Sequence, residues 1–499
     1  MRPSSGSTSL APLKSYDLVI IGAGIYGCWS ALHATSRGLN VALVDRGDIA
    51  GETSSSSTKL LHGGLRYLEQ YEFSLVRKSL SERREIKKLL PHLFHPTTFW
   101  IPVQEKRPTS PWKLSLGLWA YEHLSNSHGV VPPSRRRKVD ELKSSFPSLN
   151  FGELDAAFTY GDGVTDDHRM SLVVALEAVE RGCDLYTYHS ATPKPDGIIE
   201  LKPENGDSFD ISTEKTLHCT GKDLEKNSAL KGKLRLTQGS HLVLPDLGQR
   251  DALLLNSPLD QRKFFLVPWY GRTLLGTTDL PIDADATPLI SNDEVEYLLN
   301  SLKGTTGLTV HREDILGSFV GVRTLQGDLN LKPSDVSREW NCQAVGKNSW
   351  ASIGGKFTSA RADALEMIKQ IFTSTQAKPL EFRHHDGSSP KNHLHARYGS
   401  AMSTITDLIT THPEYGENIF PDLEFRWAEL IYSLREEHVT HLVDLMRRRL
   451  PLTLLHPWDA DVAERALSLA SEELGWDDHR KSQEMEALKC HWQGNLNFE

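Results

Sequence analysis

Residues 17–45 read DLVIIGAGIYGCWSALHATSRGLNVALVD, and this stretch decides the fold of the chain. One apolar strand is predicted at 18–21, and a second at 41–44 leads into Asp45. Between them lie a glycine-rich turn and a helix. This order of strand, turn, helix, strand and acid is the context that a dinucleotide-binding fingerprint requires, so we predict a Rossmann-type unit. The alternative is an ordinary glycine-rich turn between a strand and a helix.

The turn carries three glycines, each with a different physical task. Gly22 permits the tight turn, Gly24 lets the backbone approach a pyrophosphate, and Gly27 allows the helix to pack closely on the sheet. The N-terminus of the helix offers N–H groups and partial positive charge to the phosphates. Asp45 stands where an acid accepts a ribose hydroxyl, and Gly38 is the predicted C-cap of the helix.

Composition narrows the class of protein. The chain has 499 residues, enough for two or three domains. Its formal net charge of −9 gives no sign of nucleic-acid binding, so we predict no nucleic-acid partner, and only a local basic site stays open. The five cysteines form no CxxC pair and no even framework, which argues against a zinc ribbon or a disulfide scaffold. We therefore predict no bound metal and a reducing, cytoplasmic compartment.

The first residues of the chain differ from the rest. Residues 1–15 are rich in Ser and Pro and lack the apolar segment of a signal peptide, so we expect a disordered leader. Nowhere does the sequence hold about 18 consecutive apolar residues, so we expect no membrane-spanning helix.

The pattern along the chain predicts an α/β fold with three parts. Residues 16–375 read as the dinucleotide-binding domain interleaved with a substrate-binding cap, and the cap lies mainly at 90–160 and 225–345. The second of these segments has short alternating runs that predict a mixed β-sheet. Residues 376–400 are rich in Lys, His, Pro, Gly and Ser and look like a linker. Residues 401–499 have helical periodicity and read as a C-terminal α-helical domain.

Two distant glycine turns are candidates to close the nucleotide site. The first is the strand-like run at 217–221, which ends in Thr220 and Gly221. The second is the short strand at 352–353 followed by Gly354 and Gly355, where a helix then begins. Backbone without side chains beside a helix start is suited to a phosphate or a ring edge. Each turn alone reads equally well as an ordinary turn.

Cations beside glycines suggest an anionic substrate. Arg66 follows a Gly-Gly pair, Arg323 lies in Gly-Val-Arg, and Lys356 follows Gly-Gly; Lys59 and His62 are further charged candidates. An arginine fork matches a phosphate or carboxylate, and a lysine adds a point charge. Three such cations predict a dianionic substrate, most simply a phosphate ester. The alternative is that these are common surface residues.

His241 is the candidate for proton transfer. It leads the apolar strand that follows Gln-Gly-Ser. Its unperturbed pKa lies near working pH, so the imidazole could orient or deprotonate a hydroxyl. The alternative, a structural histidine, is favoured by spacing alone.

The ordered motifs resemble the FAD-dependent glycerol-3-phosphate dehydrogenase family, which includes the α-glycerophosphate oxidases. The most specific stretch is STKLLHGGLRYLE at residues 57–69. Further matches follow in the family's order at residues 112–124, 165–167, 239–241, 268–269, 276–279, 321–323, 354–358 and 435–449. The resemblance covers about residues 16–455, so it is far more specific than any one motif.

The resemblance implies FAD, not free NAD, in a Rossmann-type FAD-binding domain. It implies cofactor-binding residues in addition to the fingerprint, namely Ser57, Thr58, Lys59, Leu60, His62, Gly63, Gly64, Thr220, Gly221, Gly354, Gly355, Lys356, Phe357 and Thr358. It implies that the substrate lies near Arg66, Tyr67, Arg323 and Lys356, with His241 and the pair Thr277 and Thr278 at its hydroxyl end. The implied substrate is glycerol 3-phosphate, oxidised to dihydroxyacetone phosphate by hydride transfer to flavin, with His241 or a group near Arg323 as the base.

The chain departs from the family's pattern at two places. Arg323 is followed by Thr324 where the family has proline. Trp340 replaces the histidine of the family's Ser-Arg-acid-His segment. The stretch between Arg323 and Gly354 is also shorter and more polar than usual, which leaves the substrate identity and pocket shape open.

The sequence does not identify the electron acceptor of the second half of the reaction. Family members pass electrons to membrane quinone or to oxygen. Residues 107–138 combine aromatic and aliphatic residues with a basic run, which suggests a segment that lies on the inner face of the cytoplasmic membrane. A cover helix on the core is the equal alternative. A homodimer also stays open.

Three competing functions stay open. A flavin oxidase or dehydrogenase of another anionic hydroxy or amino substrate needs one carboxylate clamp instead of three cations. A non-catalytic flavoprotein module does not require the cations and His241. NAD-dependent reduction is disfavoured because the resemblance is to FAD enzymes.

Overall fold

The computed structural model describes residues 13–65, 72–104, 110–125, 129–326, 339–373, 376, 378–382 and 388–498. The strands, numbered in chain order, are β1 (Ser15–Ile21), β2 (Val41–Val44), β3 (Leu60–Leu61), β4 (His95–Gln104), β5 (Arg135–Arg137), β6 (Leu154–Val164), β7 (Asp184–Tyr186), β8 (His189–Pro193), β9 (Ile198–Pro203), β10 (Phe209–His218), β11 (Leu234–Leu244), β12 (Ala252–Asn256), β13 (Lys263–Trp269), β14 (Arg272–Gly276), β15 (Leu280–Pro281), β16 (Gly317–Gln326), β17 (Asn341–Gly346) and β18 (Ser349–Ile353).

The helices are α1 (Ile25–Thr35), α2 (Phe73–Leu89), α3 (Pro111–Ser125), α4 (Val139–Ser145), α5 (Asp167–Glu180), α6 (Asn292–Thr306), α7 (Ala360–Ile371), α8 (His393–Tyr398), α9 (Met402–Thr411), α10 (Trp427–Glu436), α11 (Leu452–Leu455), α12 (Ala460–Leu474) and α13 (Asp478–Gly494). A π-helical segment, Asp444–Arg449, precedes α11. None of these described helices is long and apolar enough to cross a membrane.

The first sheet carries the fingerprint. Its order is β17-β18-β10-β1-β2-β7, with β8 and β9 joined beyond β10. Strand β1 pairs in parallel with both β2 and β10, and β10 pairs in parallel with β18. Strands buried on both faces read as continuous apolar runs, which is why β2 is Val-Ala-Leu-Val with every residue buried. Helix α1 packs against both α5 and α7 beside this sheet.

The second sheet forms the opposite wall of the site. It is largely antiparallel, in the order β15-β11-β14-β13-β12-β4-β6-β3, with β16 paired to β11 and β5 paired to β6. The strands β11 and β16 pair along ten residues, from Leu234 opposite Gln326 to Val243 opposite Gly317. This long register fixes the positions of His241 and Arg323 relative to each other.

The C-terminal helices share a core with the second sheet. Trp427, Leu430, Met446 and Leu454 are buried in the same apolar cluster as Phe158 of β6. The helical segment from α8 to α13 is therefore packed onto the body of the chain.

The predicted fold class is confirmed: a Rossmann-type domain, a mixed β-sheet domain and C-terminal helices. Two local predictions are corrected. Helix α1 ends at Thr35 with Ser36 as its C-cap, and Gly38 takes its φ of +79° in the turn beyond. The end of the predicted linker forms α8, because Arg397 is buried there and pairs with Asp166. The remaining domain boundaries stay predictions, and residues 1–12 of the leader lie outside the described residues.

Candidate active site

The fingerprint glycines make room for backbone. A Cβ on Gly22 would overlap the carbonyl of Cys219, and a Cβ on Gly27 would overlap the carbonyl oxygen of Gly22. Gly24 is the N-cap of α1 and lies 3.1 Å, measured from an added Cβ, from the hydroxyl of Ser54. That hydroxyl accepts the N–H of Ile25 at 2.9 Å. Gly24 therefore leaves room for the Ser54 hydroxyl to cap the first N–H of α1.

Asp45 stabilises this turn through hydrogen bonds to backbone N–H groups. One carboxylate oxygen accepts the Ala23 N–H at 2.6 Å, and the other accepts the Gly47 N–H at 2.9 Å. Burial raises the pKa of Asp45, and these two hydrogen bonds oppose that shift. The residue is absent from the described cavity wall. A contact with a ribose hydroxyl stays a prediction.

The Ser/Thr-rich segment after β2 runs along the cavity, and some of its residues face the cavity while others face away from it. Ser57, Thr58, Leu60, His62 and Gly64 line the cavity.

Lys59 is corrected as a cofactor-facing side chain. Its φ is +62°, and its ammonium group turns away into a buried ion pair, 2.6 Å from Asp167 and 2.7 Å from the Ser55 carbonyl oxygen. Gly63 also faces away: its N–H donates to the hydroxyl of Tyr121 at 2.8 Å. Both residues support the segment from outside the cavity wall.

Both distant glycine turns reach the same cavity. Gly221 lines it, and Thr220 is the N-cap residue just before it. All five residues from Gly354 to Thr358 line it too. The His62 N–H donates to the Thr358 hydroxyl at 3.1 Å, which ties this turn to the Ser/Thr-rich segment. Gly221 and the turn at 354–358 therefore lie where a ligand in the cavity can contact them, and their role in cofactor binding stays a prediction.

The cavity has a volume of about 670 Å³ and lies between the two sheets. The first sheet contributes the fingerprint and the turns after β10 and β18. The second sheet contributes His241, Thr277, Thr278 and Arg323. Arg66 and Tyr67 lie outside the described residues.

Arg323 is held by the loop after β14. Its guanidinium donates to the Thr277 hydroxyl at 3.2 Å and lies 3.2 Å from a carboxylate oxygen of Asp279. A Cβ on Gly239 would overlap the guanidinium, so the absence of a side chain there gives Arg323 its space. The side chain is 22% exposed at the cavity. Arg323 therefore keeps a fixed orientation before any ligand binds.

Thr278 is corrected in part. It lines the cavity, yet its hydroxyl donates to the buried Glu294 at 2.6 Å and accepts the Ser240 N–H at 2.9 Å. That hydroxyl therefore braces β11 against α6. Thr277, whose hydroxyl meets Arg323, is the threonine that faces the charged part of the cavity.

His241 is buried and neutral. Its ring stacks on Phe319 at a centroid distance of 4.8 Å, and its Nε2 lies 2.9 Å from the Thr58 hydroxyl. Burial and then the charges of Arg323 and Lys59 hold the pKa of His241 well below its usual value. Nδ1 is buried with no hydrogen-bond partner among the described residues. The lowered pKa keeps this imidazole unprotonated near neutral pH.

Sequence reasoning missed several cavity residues. Tyr26 lies inside the fingerprint itself, while Arg262 and Lys263 lie at the turn between β12 and β13. The basic pair could have been found, because it directly precedes a predicted strand on the substrate side. The apolar wall could not, because its members come from four separate strands: Phe99, Tyr160, Leu254 and Phe265.

Buried ion pairs tie the C-terminal helices to this site. Asp48, between β2 and the Ser/Thr-rich segment, accepts hydrogen bonds from Arg448, at 2.6 Å, and from Arg449. Arg169 of α5 pairs with Glu437. Because these side chains are buried, the C-terminal segment anchors the segment that forms one cavity wall.

Comparisons with known proteins agree with this geometry. Residues 17–352 match the family of FAD dependent oxidoreductases, and residues 369–481 match the C-terminal domain of alpha-glycerophosphate oxidase. An aerobic glycerol-3-phosphate dehydrogenase of Staphylococcus epidermidis is 30% identical, over 87% of this chain and 86% of its own. The chain belongs to the FAD-dependent glycerol-3-phosphate dehydrogenase and α-glycerophosphate oxidase family.

Further members of the family resemble the chain in sequence or fold. A glycerol-3-phosphate dehydrogenase of Synechocystis is 29% identical over 88% of this chain and 89% of its own. The solved glycerol-3-phosphate dehydrogenase of Bacillus halodurans with FAD has a TM-score of 0.76 at 22% identity, covering 97% and 96% of the two chains. The L-alpha-glycerophosphate oxidase of Mycoplasma pneumoniae with FAD has a TM-score of 0.59 at 18% identity, covering 74% and 98%.

The cofactor of this family is FAD, and the cavity fits it. Gly24 and Ile25 at the start of α1 line the cavity, so the N-terminus of this helix faces the space that a pyrophosphate would occupy. Gly354 and Gly355 have φ values of +70° and +89° and line the same cavity. One ligand can thus contact both turns.

Proposed function

We propose that the protein oxidises sn-glycerol 3-phosphate to dihydroxyacetone phosphate. One observation carries the proposal: Arg323, Lys356 and a neutral His241 line the same cavity as the fingerprint. Cations suit the phosphate, and a neutral imidazole suits the hydroxyl that loses its proton. The names and similarity of the relatives support the same substrate.

We propose that FAD is held by the walls of this cavity. The wall residues concerned are Gly24, Ser57, Thr58, Leu60, His62, Gly64, Gly221, Gly354, Gly355, Lys356, Phe357 and Thr358. Gly22, Gly27, Asp45 and Thr220 do not line the cavity and are proposed to shape the turns that do. Bound FAD supplies an acceptor for the hydride from C2 of the substrate. The chain's own contribution is position, electrostatics and the exclusion of water.

Arg323 and Lys356 are proposed to bind the phosphate. They come from opposite sheets, so a ligand that bridges them is fixed in orientation. Arg323 presents a planar fork whose other N–H groups already meet Thr277 and Asp279. Arg66 is proposed as a third cation. The preset fork lowers the entropy lost when the phosphate binds.

His241 is proposed to take the proton of the C2 hydroxyl. Its lowered pKa leaves it without a proton near neutral pH, so the base is ready before the substrate arrives. The nearby charge of Arg323 disfavours the protonated imidazole, and the phosphate it binds would reduce that penalty. Substrate binding and proton uptake therefore support each other.

Steady-state oxidation with an artificial electron acceptor tests the substrate. We expect turnover of glycerol 3-phosphate with formation of dihydroxyacetone phosphate, and a value of kcat/KM for glycerol at least about a hundredfold lower, because a phosphate contributes several charge-assisted contacts. Equal rates with both compounds, or no dihydroxyacetone phosphate, would contradict the proposal.

We further propose that the electrons pass to quinone at a membrane surface. Trp112, Leu116 and Trp119 lie at spacings of four and three on α3 and are 65%, 58% and 57% exposed. The other face of α3 is buried on the core through Leu118 and Tyr121, so the helix has both an exposed and a covering face.

Cations stand beside the exposed apolar face. A groove between α2 and α3 is lined by Phe73, Trp119, Arg77 and Arg84. Apolar side chains flanked by cations suit the interface of an anionic bilayer. Flotation with phosphatidylglycerol vesicles tests this: we expect the wild type to float and Trp112→Ser/Trp119→Ser to stay in solution.

Phe209→Ser is the matched control, because Phe209 is 41% exposed in β10, far along the chain from α3. It should float like the wild type. Wild-type protein that stays in solution and reduces no quinone would remove the membrane proposal, and an acceptor such as oxygen would then be tested.

A further inference from the structure

The hydroxyl of Tyr26 connects two parts of the cavity wall that are 330 residues apart. Tyr26 lies inside the fingerprint, between Gly24 and Gly27. Its hydroxyl accepts the backbone N–H of Lys356 at 3.0 Å and donates to a carboxylate oxygen of Asp363 at 2.7 Å. Both Tyr26 and Lys356 line the cavity.

The turn that carries Lys356 is built around this hydroxyl. A Cβ on Gly355 would overlap the Tyr26 oxygen and would come within 3.3 Å of the Cβ of Trp340. The φ of Gly355, +89°, is also in the region that favours glycine. The turn therefore approaches Tyr26 as closely as backbone allows.

Asp363 fixes the direction in which the hydroxyl donates. It also accepts the Ser359 hydroxyl at 2.7 Å and pairs with the ammonium of Lys78 at 2.5 Å. With these partners the carboxylate is an acceptor for Tyr26. The tyrosine lone pair is then directed to the Lys356 N–H.

Burial and the Asp363 carboxylate raise the pKa of Tyr26 well above its usual value. The hydroxyl thus keeps its proton across the working pH range. It can donate and accept at the same time under all assay conditions.

We propose that Tyr26 is a positioning residue, whose hydroxyl holds the Gly354–Lys356 turn and so sets where the Lys356 ammonium stands in the cavity. The proposal rests on the proposed function, in which Lys356 binds the substrate phosphate. Without the hydroxyl, the partly buried N–H of Lys356 loses its acceptor and the turn relaxes. The cation then meets the phosphate less well.

Tyr26→Phe removes one atom and keeps the ring, so the core packing is retained. Tyr16→Phe is the matched control: the Tyr16 hydroxyl also donates to a carboxylate, that of Asp184 at 2.8 Å, but Tyr16 lies in β1 and outside the cavity wall. The probe is inorganic phosphate, titrated against the oxidised FAD-loaded enzyme by calorimetry. This measurement of phosphate affinity needs no turnover, so it is independent of the experiment that tests the substrate.

We expect the phosphate Kd of Tyr26→Phe to rise by about fivefold over that of Tyr16→Phe, the size of one hydrogen bond's effect. In a Lys356→Ala background the same change should alter Kd by less than about twofold, because Tyr26 acts through Lys356. For glycerol 3-phosphate, KM should rise with kcat nearly unchanged.

Equal phosphate Kd values in the two tyrosine variants would overturn the proposal. So would an undiminished effect of Tyr26→Phe in the Lys356→Ala background, since the hydroxyl would then act by another route. If the wild type fails to oxidise glycerol 3-phosphate while the phosphate cycle behaves as expected, the proposed function fails and the role of Tyr26 stands.

Discussion

Replacing Arg323 with alanine isolates the contribution of one cation to substrate binding. The guanidinium contacts Asp279 and Thr277 and lines the cavity, while its backbone lies in the centre of β16. Truncation removes the fork and leaves Asp279 without this partner. The sheet itself is unaffected, because β16 pairs with β11 through backbone groups.

The size of the effect follows from the exposure of the side chain. A hydrogen bond to a charged group contributes about 1.5–3 kcal/mol, which corresponds to roughly 10- to 150-fold in affinity. Arg323 is 22% exposed and shares its charge with Asp279 at 3.2 Å, so solvent and the carboxylate screen part of this gain. We therefore expect the lower half of the range, an increase in KM of about 10- to 40-fold.

The assay is steady-state oxidation of glycerol 3-phosphate by enzyme with a known flavin content. Because the phosphate contact is the same in the ground and transition states, kcat should change far less than KM. Arg435→Ala is the control: its guanidinium pairs with Glu473 on the exposed face of the C-terminal helices. It should leave both constants unchanged.

An unchanged KM in Arg323→Ala, with FAD still bound, would refute the reasoning. Loss of FAD from this variant would show instead that Arg323 supports the cofactor wall. An equal loss in Arg435→Ala would trace the effect to folding.

Three further predictions follow from the site. His241→Asn should lower kcat by about a hundredfold or more, the usual contribution of a positioned base. The wild-type kcat/KM should stay level from pH 6.5 to about 8, because the pKa of His241 is lowered and the enzyme is inactivated only when His241 is protonated below that pKa. A fall in kcat/KM centred above pH 6.5 would contradict this prediction. Gly239→Ala should mimic the KM defect of Arg323→Ala because the new methyl displaces the guanidinium, whereas Gly494→Ala, at the end of α13 with open space around it, should not. Asp48→Asn removes the counter-charge of Arg448 and Arg449 and should cost about 3–5 kcal/mol of stability, visible as a lower Tm and release of FAD; an unchanged Tm would show that the C-terminal anchor is unimportant.

The sequence predicts the parts of the site that depend on local backbone. The strands at 18–21 and 41–44 fall inside β1 and β2, because apolar runs between glycine turns leave few alternatives. Glycines mark the turns at Gly22 and Gly354 because only they tolerate the required φ or closeness.

Side-chain direction was harder to predict, because distant partners decide it. Lys59 turns away from the cavity to meet Asp167, more than a hundred residues along the chain. The hydroxyl of Thr278 donates a hydrogen bond to Glu294 of α6. A buried charged side chain points toward a counter-charge, and the spacing of residues in the sequence does not identify that partner.

The apolar wall of the cavity and the contact of Tyr26 with Lys356 could not be predicted from the sequence, for a related reason. Phe99, Leu254 and Phe265 belong to strands that each read as ordinary core. Only the order of strands in the second sheet brings them to the cavity. Tertiary topology, not local propensity, creates this surface.

Anaerobic addition of glycerol 3-phosphate to the purified FAD-loaded protein tests the central claim most directly. The account predicts rapid loss of the flavin absorbance near 450 nm with one equivalent of dihydroxyacetone phosphate formed per flavin, and no loss with glycerol at the same concentration. A bound flavin that keeps its colour with glycerol 3-phosphate would contradict the account. The altered stretch after Arg323 would then be the first place to look for a different anionic substrate.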